Sequence, residues 1–270
     1  MNDNAEHSTS TAKPKVVILA GGFGSRISED SSSKPKPMLE IGGMPILWHI
    51  MKVFYAQGYS EFVILCGYKA SIIKEFFLNY RIRHSDVTFD SLGSSEKIVV
   101  EDAHAEHWRV TLVDTGLTTM TGGRVKRAQA VIGDDPFILT YGDGLADIDL
   151  ASLLQFHSSH GRIATLTAVQ PEGRFGFLDL SENQVDSFRE KSKTDVGWIN
   201  GGFMVLGPEI FPLISGDETS LENDPLEQLA RSGQLMAYKH TSFWQCMDTP
   251  RDRSQLEALW ESGSAPWKVW

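Results

Sequence analysis

The sequence predicts an α/β fold built on a doubly wound, mostly parallel sheet. Short apolar runs rich in valine, isoleucine and leucine recur along the 270 residues, and stretches with helical periodicity lie between them. Two of the apolar runs end in glycine-containing turns, which is typical of the carboxyl edge of a parallel sheet. Strands that alternate with helices favour parallel pairing, because each helix carries the chain back to the start of the next strand.

The predicted elements follow one another in a regular order. Residues 1–14 are polar and end at Pro14, so they predict a disordered tail. After this tail, apolar runs predict strands over 16–20, 61–66, 137–141 and 164–169, and helical patterns predict helices over 46–57, 71–78, 126–132 and 150–157. Residues 15–270 are expected to form a single domain.

The middle of the chain, residues 80–123, departs from this alternation. Its apolar stretches are short and separated by polar residues, at 86–89, 98–100 and 110–113. They are either short strands or parts of an inserted segment, and periodicity does not decide between the two.

Composition limits the classes of partner. Acidic residues outnumber basic ones 35 to 25, giving a net charge of −10, and no basic block compensates for it. Nucleic acid is therefore not expected as the main partner, and an anionic substrate would need a local cluster of cations. With two cysteines and no apolar stretch long enough to span a membrane, the sequence predicts a cytoplasmic protein without disulfides or membrane contact.

The first predicted strand ends in a glycine-rich turn that carries a cation. Gly21, Gly22 and Gly24 allow backbone N–H groups to approach a phosphate, and Arg26 brings positive charge to the same place. The turn lacks the Gly-Lys-Ser/Thr of a P-loop and the third glycine of the dinucleotide fingerprint. Two further cations follow in the segment Lys34-Pro35-Lys36-Pro37-Met38. This part of the chain is predicted to bind a nucleotide.

Two aspartates are candidate metal ligands. Asp143 lies between glycines directly after the strand over 137–141, and Asp248 ends the segment Trp244-Gln245-Cys246-Met247-Asp248. Mg²⁺ usually takes one or two protein carboxylates together with substrate phosphates, so these two would suffice. Asp147 and Asp149 are instead interpreted as a surface charge and a helix N-cap. The histidines lack metal-ligand spacing and are interpreted as structural.

Taken together, these motifs resemble those of the sugar-1-phosphate nucleotidylyltransferases. Their signature is Gly-Gly-x-Gly-Ser/Thr-Arg followed by Pro-Lys-Pro-Met. Further segments are similar to the glucose-1-phosphate cytidylyltransferase branch of this family, namely residues 45–51, 66–69, 111–116, 120–124, 140–144, 173–176, 199–203 and 243–245. The resemblance runs from about residue 15 to the end of the chain. It implies a Rossmann-like nucleotidylyltransferase fold, with a nucleotide-binding part over about 15–150 and a sugar-binding and C-terminal part over about 151–270.

The resemblance also implies a reaction and a set of site residues. This branch transfers the cytidylyl group of CTP to α-D-glucose 1-phosphate with Mg²⁺, and it releases pyrophosphate. Arg26 and Lys36 would be the catalytic cations, and Asp143 and Asp248 the metal ligands. The remaining matches fall into two groups: Leu19, Gly21, Gly22, Gly24, Ser25, Gly123, Arg124 and Asp143 at the nucleotide, and Gly176, Glu190, Lys191 and Asn200 at the sugar phosphate. Relatives form homo-oligomers, and their CDP-glucose commonly feeds the deoxysugars of bacterial surface polysaccharides such as O-antigen.

The chain departs from the family pattern in the sugar region. It has Ser192 where the family has proline after Glu-Lys, and Trp198 where a smaller apolar residue is common. Loss of the proline frees the backbone beside Lys191, which puts sugar affinity in question. The serines at 31–33 predict a loop that orders when nucleotide binds. Two alternatives remain: the same reaction with another nucleotide, UTP or dTTP, or another hexose 1-phosphate, and a catalytically silent nucleotide-sugar sensor.

Overall fold

Eight strands form one mixed sheet in the computed structural model, which describes residues 13–23, 34–92, 97–101, 105–171, 177–181, 184–189 and 197–270. In chain order the strands are β1 (Val16–Ala20), β2 (Glu40–Ile41), β3 (Met44–Pro45), β4 (Glu61–Cys66), β5 (Val87–Asp90), β6 (Lys97–Val100), β7 (Arg109–Asp114), β8 (Phe137–Tyr141), β9 (Gly144–Ala146), β10 (Ala164–Val169), β11 (Phe177–Ser181), β12 (Gln184–Arg189), β13 (Ile199–Asn200), β14 (Met204–Leu206), β15 (Leu235–His240) and β16 (Trp244–Cys246). The helices are α1 (Ile46–Ala56), α2 (Ala70–Arg83), α3 (Thr121–Arg127), α4 (Gln129–Ile132), α5 (Leu150–His160), α6 (Pro225–Arg231) and α7 (Pro250–Glu261).

The main sheet has a parallel part and a mixed part. Its order is β13-β10-β14-β8-β1-β4-β7, and β15 pairs with β10. The pairs β8·β1, β1·β4 and β4·β7 are parallel, as is β10·β15. Strand β14 runs antiparallel to both β8 and β10. The α/β prediction with a mostly parallel core is confirmed, and the antiparallel strands lie in the C-terminal half.

Strand β1 shows why the sheet needs helices on both faces. All five of its residues are buried. Val16, Ile18 and Ala20 belong to one hydrophobic cluster, whereas Val17 and Leu19 belong to a second one. Successive side chains of a strand point to opposite faces, so a wholly apolar strand requires a core on each side. The two clusters are these two cores.

The predicted elements reappear, some with shifted ends. The four strands predicted over 16–20, 61–66, 137–141 and 164–169 have the same bounds in the structure. Helix α2 is longer at both ends than the predicted 71–78, and the helix predicted over 126–132 begins earlier, at Thr121, and is interrupted at Ala128. Asp149 caps α5, where its carboxylate accepts hydrogen bonds from the backbone N–H groups of Ala151 and Ser152.

The segment over 80–123 contains both of the alternatives left open by its sequence. Strands β5 and β6 form a separate antiparallel hairpin, which is the inserted segment. Strand β7 instead joins the main sheet, parallel to β4. The third apolar stretch therefore extends the doubly wound sheet.

Helix α7 is absent from the sequence-based prediction, although its sequence carries a start signal. The side chain of Thr249 accepts from the N–H of Asp252, while the Asp252 carboxylate accepts from the N–H of Thr249. Thr-Pro-x-Asp is a capping box with proline at the first helical position. Beyond the helix, the buried Trp267 packs in the same cluster as α1, so the C-terminal segment covers one face of the sheet. Among the described residues, no helix is long and apolar enough to cross a membrane.

Candidate active site

A cleft of about 330 Å³ opens at the carboxyl ends of β1 and β8. Four segments line it: the end of β1 and the turn after it, the residues at 36 and 37, the residues from 117 into α3, and the residues around Asp143. The lining side chains and backbone belong to Leu19, Ala20, Gly21, Gly22, Phe23, Lys36, Pro37, Leu117, Thr118, Thr119, Met120, Thr121, Arg124, Tyr141, Gly142 and Asp143. Six of the residues predicted from the sequence to contact the nucleotide, its phosphates or a metal therefore share one cavity: Leu19, Gly21, Gly22, Lys36, Arg124 and Asp143.

Lys36 lies between the two predicted metal ligands. Its ammonium donates to Asp143 Oδ2 at 2.5 Å and also to Asp248 Oδ1. Burial works to lower the pKa of Lys36, but the charges and hydrogen bonds of the two aspartates outweigh it and hold that pKa above its usual value. Lys36 is therefore a cation at the edge of the cleft.

Backbone pairing brings the two aspartates together. Strands β9 and β16 pair antiparallel, with Gly144 opposite Cys246. One residue further, the N–H of Met247 donates to the carbonyl of Asp143 at 2.8 Å. Lys36 is placed against them by a short 3₁₀ helix over Lys36–Met38, whose Pro37 and Met38 are buried. Three residues far apart in sequence thus meet because three local elements pack together.

The two carboxylates fit a hard divalent cation that also binds substrate. Their side chains are 28% and 29% exposed, so each reaches the solvent-accessible edge of the site. The described residues contain no group of three or more histidine, cysteine, aspartate or glutamate side chains that could hold a metal by themselves. Mg²⁺ binds with one or two carboxylates when substrate phosphates and water complete its six oxygens. The donor set is therefore suited to a metal that arrives with a nucleotide.

Cys246 lies beside this pair. Its thiol lies 3.4 Å from Asp248 Oδ2 and donates to it. Burial and the neighbouring carboxylates raise the pKa of Cys246 to about 12, so the thiol is neutral at physiological pH. Cys66 is buried and, like Cys246, is a free thiol. Both cysteines therefore pack as neutral side chains.

Arg124 forms the floor of the cleft and is tied to protein groups. The residue is 4% exposed, and its guanidinium donates to one hydroxyl and four backbone carbonyls: Thr115 Oγ1 at 2.7 Å, Gly116 O at 2.7 Å, Gly21 O at 3.0 Å, Leu117 O at 3.2 Å and Cys66 O at 3.3 Å. Arg124 therefore joins the ends of β1 and β4 to the segment after β7. A side chain on Gly21 would lie 2.2 Å from the guanidinium, so glycine is required there by this contact.

The remaining predicted nucleotide contacts fall in different places. Leu19 and Gly22 line the cleft. Gly123 does not: a Cβ there would lie 2.6 Å from Cα of Asp217, so close packing of α3 against the segment around Asp217 explains this glycine. Gly24, Ser25 and Arg26 lie outside the described residues, as do the serines at 31–33.

On the predicted sugar side the structure describes Asn200. It ends β13, and its amide donates to the hydroxyl of Tyr141 at 3.2 Å, which brings it to the cleft. Gly176, Glu190, Lys191 and Ser192 lie outside the described residues. Trp198 is 40% exposed, and Lys239 Nζ lies 5.3 Å from the centre of its ring.

Three site residues were missed in the sequence. Tyr141 and Thr121 line the cleft, and Glu222 accepts hydrogen bonds from both, at 2.7 and 2.6 Å. Tyr141 could have been found as the last residue of the strand that leads to Asp143. Glu222 lies in a turn, far along the chain from both partners, and no local pattern marks it.

Four of the described histidines have protein partners for their rings. His49 contacts the carbonyl of Ile41 at 2.8 Å. His157 and His160 both contact the Thr165 hydroxyl, and His240 pairs with Asp147 at 3.0 Å. The interpretation of these four residues as structural agrees with their contacts.

Comparison with known proteins agrees with the predicted family and fold. Residues 15–262 match the model of the nucleotidyl transferase family. The glucose-1-phosphate cytidylyltransferase of Salmonella typhi is 54% identical over 95% of this chain and 99% of its own length. A probable glucose-1-phosphate cytidylyltransferase of Bacillus subtilis (strain 168) is 42% identical over 95% of this chain and 100% of its own length.

A solved structure has the same fold. HddC from Yersinia pseudotuberculosis, complexed with GMP-PN, superposes with a TM-score of 0.67 at 25% identity, covering 92% of this chain and all of that one. The match extends over both the parallel and the mixed part of the sheet, since it spans nearly the whole chain. The chain therefore belongs to the nucleotidyl transferase family and, within it, to the glucose-1-phosphate cytidylyltransferases.

Proposed function

We propose that this protein transfers the cytidylyl group of CTP to α-D-glucose 1-phosphate, forming CDP-glucose and pyrophosphate. The observation that carries the proposal is Lys36 held between Asp143 and Asp248 at the edge of a cleft lined by the glycine turn. Two polyanions must meet in this reaction, and a cation beside a pair of metal-binding carboxylates is suited to that task. The Salmonella typhi and Bacillus subtilis relatives carry this activity in their names.

The reaction needs no side-chain nucleophile. A phosphate oxygen of the sugar, ionised at neutral pH, attacks the α-phosphorus, and the bond from that phosphorus to the bridging oxygen of the β-phosphate breaks. Pyrophosphate leaves with the electron pair of the broken bond. The work of the protein is therefore to hold the two substrates in line and to stabilise the developing charge. Lys36 supplies positive charge at this place, and the backbone of Gly21 and Gly22 borders the phosphates.

We assign Mg²⁺ to Asp143 and Asp248, whose carboxylate oxygens fit it. When bound, the ion neutralises phosphate charge and polarises the phosphorus–oxygen bonds. Cys246 and Lys36 hold the carboxylates through hydrogen bonds. Arg124 contributes to nucleotide binding by holding the turn after β1 and the segment after β7, which both line the cleft, against the end of β4.

The other assignments rest on the family resemblance. Gly24, Ser25 and Arg26 are proposed to contact the nucleotide phosphates, and Gly176, Glu190, Lys191 and Asn200 to bind the sugar phosphate. Glu190 can accept hydrogen bonds from sugar hydroxyls, and Lys191 can pair with the phosphate. Asn200 is placed for such a contact by its position beside the cleft-lining Tyr141.

We also propose a homo-oligomer in the cytoplasm that supplies CDP-glucose for surface polysaccharides. Support for assembly comes from large apolar side chains left exposed on α2 and around the β5–β6 hairpin: Leu78 at 81%, Phe89 at 70% and Ile98 at 58%. A lone two-stranded hairpin is marginally stable in water, so a covering partner would stabilise it. Light scattering on the protein as it elutes from a size-exclusion column measures the number of copies in the assembly. A monomer at micromolar concentration would contradict the proposed homo-oligomer.

The decisive experiment measures pyrophosphate release from glucose 1-phosphate and Mg²⁺ with CTP, UTP, dTTP, ATP and GTP in parallel. A strong preference for CTP is expected. Turnover with UTP or dTTP, or with another hexose 1-phosphate, would keep the chemistry and change the substrate. Nucleotide binding without turnover would instead indicate a sensor.

A further inference from the structure

A series of hydrogen bonds connects the half-buried carboxylate of Glu222 to Asn200, the residue proposed to bind the sugar phosphate. Tyr141 donates its hydroxyl hydrogen to Glu222 Oε1 at 2.7 Å. Asn200 Nδ2 donates to the oxygen of the same hydroxyl at 3.2 Å. The second carboxylate oxygen of Glu222 accepts from Thr121 Oγ1 at 2.6 Å and from Ser220 Oγ at 2.8 Å. Glu222 thus receives three hydroxyl donors, and one of them links it to Asn200.

The donors and acceptors along this series of hydrogen bonds have a fixed direction. An ionised carboxylate only accepts, so Tyr141 must donate to Glu222 and can offer only lone pairs to Asn200. Asn200 must then turn its NH₂ group toward Tyr141. The oxygen of the Asn200 amide requires the same orientation, because Asn200 Oδ1 accepts a hydrogen bond from the backbone N–H of Gly202 at 3.0 Å. Both ends of the amide are therefore specified, and one orientation satisfies them.

The ionisation states support this direction. Burial favours the neutral carboxyl of Glu222, yet the hydrogen bonds from Thr121, Tyr141 and Ser220 outweigh it and keep the pKa below its usual value. A phenol carries its hydrogen at neutral pH, so Tyr141 has one hydrogen to donate to Glu222. At neutral pH the link therefore consists of a carboxylate and a protonated tyrosine.

The link joins the two halves of the cleft. Tyr141 and Thr121 line the nucleotide cavity. Asn200 begins the turn that leads into β14, and a Cβ on Gly202 in this turn would lie 3.1 Å from the Tyr141 ring. Gly202 also has φ +78°, a conformation that favours glycine. The turn that carries Asn200 is therefore held against Tyr141 by packing as well as by its hydrogen bond.

We propose that Glu222 is a positioning residue for sugar-phosphate binding: it fixes the direction of the Tyr141 hydroxyl, which holds the Asn200 amide in one orientation. The inference rests on the proposed function, in which Asn200 contacts the sugar phosphate. Glu222 itself acts only through Tyr141, and its bond to Thr121 keeps the carboxylate in place.

The variant Glu222→Gln tests the direction of these hydrogen bonds while it keeps the shape of the side chain. A glutamine amide can donate to Tyr141 as well as accept from it, so the hydroxyl can turn its hydrogen toward Asn200. The Asn200 amide would then have to flip, which places its NH₂ group against the N–H of Gly202. With the amide no longer held in one orientation, we expect the KM for glucose 1-phosphate to rise about tenfold, the fold-change of one lost hydrogen bond.

Steady-state kinetics with each substrate varied in turn provide the measurement. In Glu222→Gln and in Tyr141→Phe, the KM for glucose 1-phosphate is expected to rise about tenfold, while the KM for CTP changes less than about threefold. Because both variants break the same link, the double variant should be no worse than either single one. Ser220→Ala is the matched control: it removes a hydrogen bond to the same carboxylate outside the link, and should leave both KM values within about twofold.

Equal rises in both KM values, or the same rise in Ser220→Ala, would show that Glu222 acts only on local folding and would overturn the inference. So would additive effects in the double variant. If Glu222→Gln does not fold, Tyr141→Phe alone carries the comparison. Turnover by the unmodified protein tests the proposed function separately; should it prefer another nucleotide or hexose, the same variants are compared with that substrate pair.

Discussion

His49 lies buried in α1, and we predict that replacing it by glutamine flattens the dependence of folding stability on pH. The ring is fully inaccessible to solvent. Its Nε2 lies 2.8 Å from the carbonyl of Ile41, so this nitrogen carries the hydrogen, and Nδ1 accepts from the Trp267 indole at 3.4 Å. Protonation at Nδ1 would set two N–H groups against each other. Burial, together with the charge of Lys268, lowers the pKa of His49 to about 4.

The magnitude follows from linkage. In the unfolded chain the histidine titrates near its ordinary pKa of about 6.5, so between about pH 6.5 and 4 the unfolded state binds a proton that the folded state does not. The contribution of His49 to the free energy of unfolding is therefore fully present above about pH 6.5 and falls as the pH decreases. Each pH unit below the unfolded-state pKa of about 6.5 costs about 1.4 kcal/mol. At pH 5, therefore, about 2 kcal/mol of unfolding free energy is lost through His49.

Urea unfolding at about pH 7.5 and about pH 5 measures this loss in the unmodified protein and in His49→Gln. The glutamine variant starts less stable at the higher pH, but its loss between the two pH values should be smaller by about 2 kcal/mol. His107→Gln is the control, because His107 is exposed and its replacement should leave the pH dependence unchanged. An equal loss in His49→Gln and the unmodified protein would refute the reasoning.

Three further predictions concern the site and its supports. Lys36→Ala should lower kcat by about 10²- to 10³-fold in the pyrophosphate assay. Lys34 pairs with Glu40 at 2.6 Å on the surface, so the control Lys34→Ala should change kcat less than about threefold. Asp252→Ala should lower the urea unfolding free energy by about 2 kcal/mol, since the capping box of α7 is lost. Arg124→Leu should cost about 3 to 5 kcal/mol in the same measurement, because it leaves buried carbonyls without donors, while the exposed Arg127→Leu should shift the midpoint little.

Local sequence determined the framework of the fold. The wholly apolar 16–20 segment could only be a central strand covered on both faces, and its glycine turn could only lie at the carboxyl edge of the sheet. Asp149 indicated the start of α5 through its capping chemistry. The capping box at Thr249 carried equal information about α7 and was overlooked. Such features depend on neighbours in sequence, so they can be recognised without tertiary contacts.

Long-range packing decided the direction of the later strands. Nothing in the residues of β14 specifies that it runs antiparallel to β8 and β10. Strand β13, just before it, also runs antiparallel to β10, so the chain keeps one direction through Gly202, and that direction is set by the pairing with β8 and β10. Likewise, Arg124 could be predicted to border the nucleotide, but its five bonds to three separate segments depend on how those segments meet.

The sequence by itself determined the α/β class, and it predicted the glycine turn, the lysine and the two aspartates of the proposed centre. Only the tertiary structure decided that Lys36 lies between Asp143 and Asp248, residues 107 and 212 positions away, and that Glu222 reaches Asn200 through Tyr141. Residue type limits what a side chain can donate, accept or neutralise, and this can be read along the chain. Which groups come within hydrogen-bond distance depends on the packing of whole strands and helices, because that packing sets the distances between residues far apart in sequence.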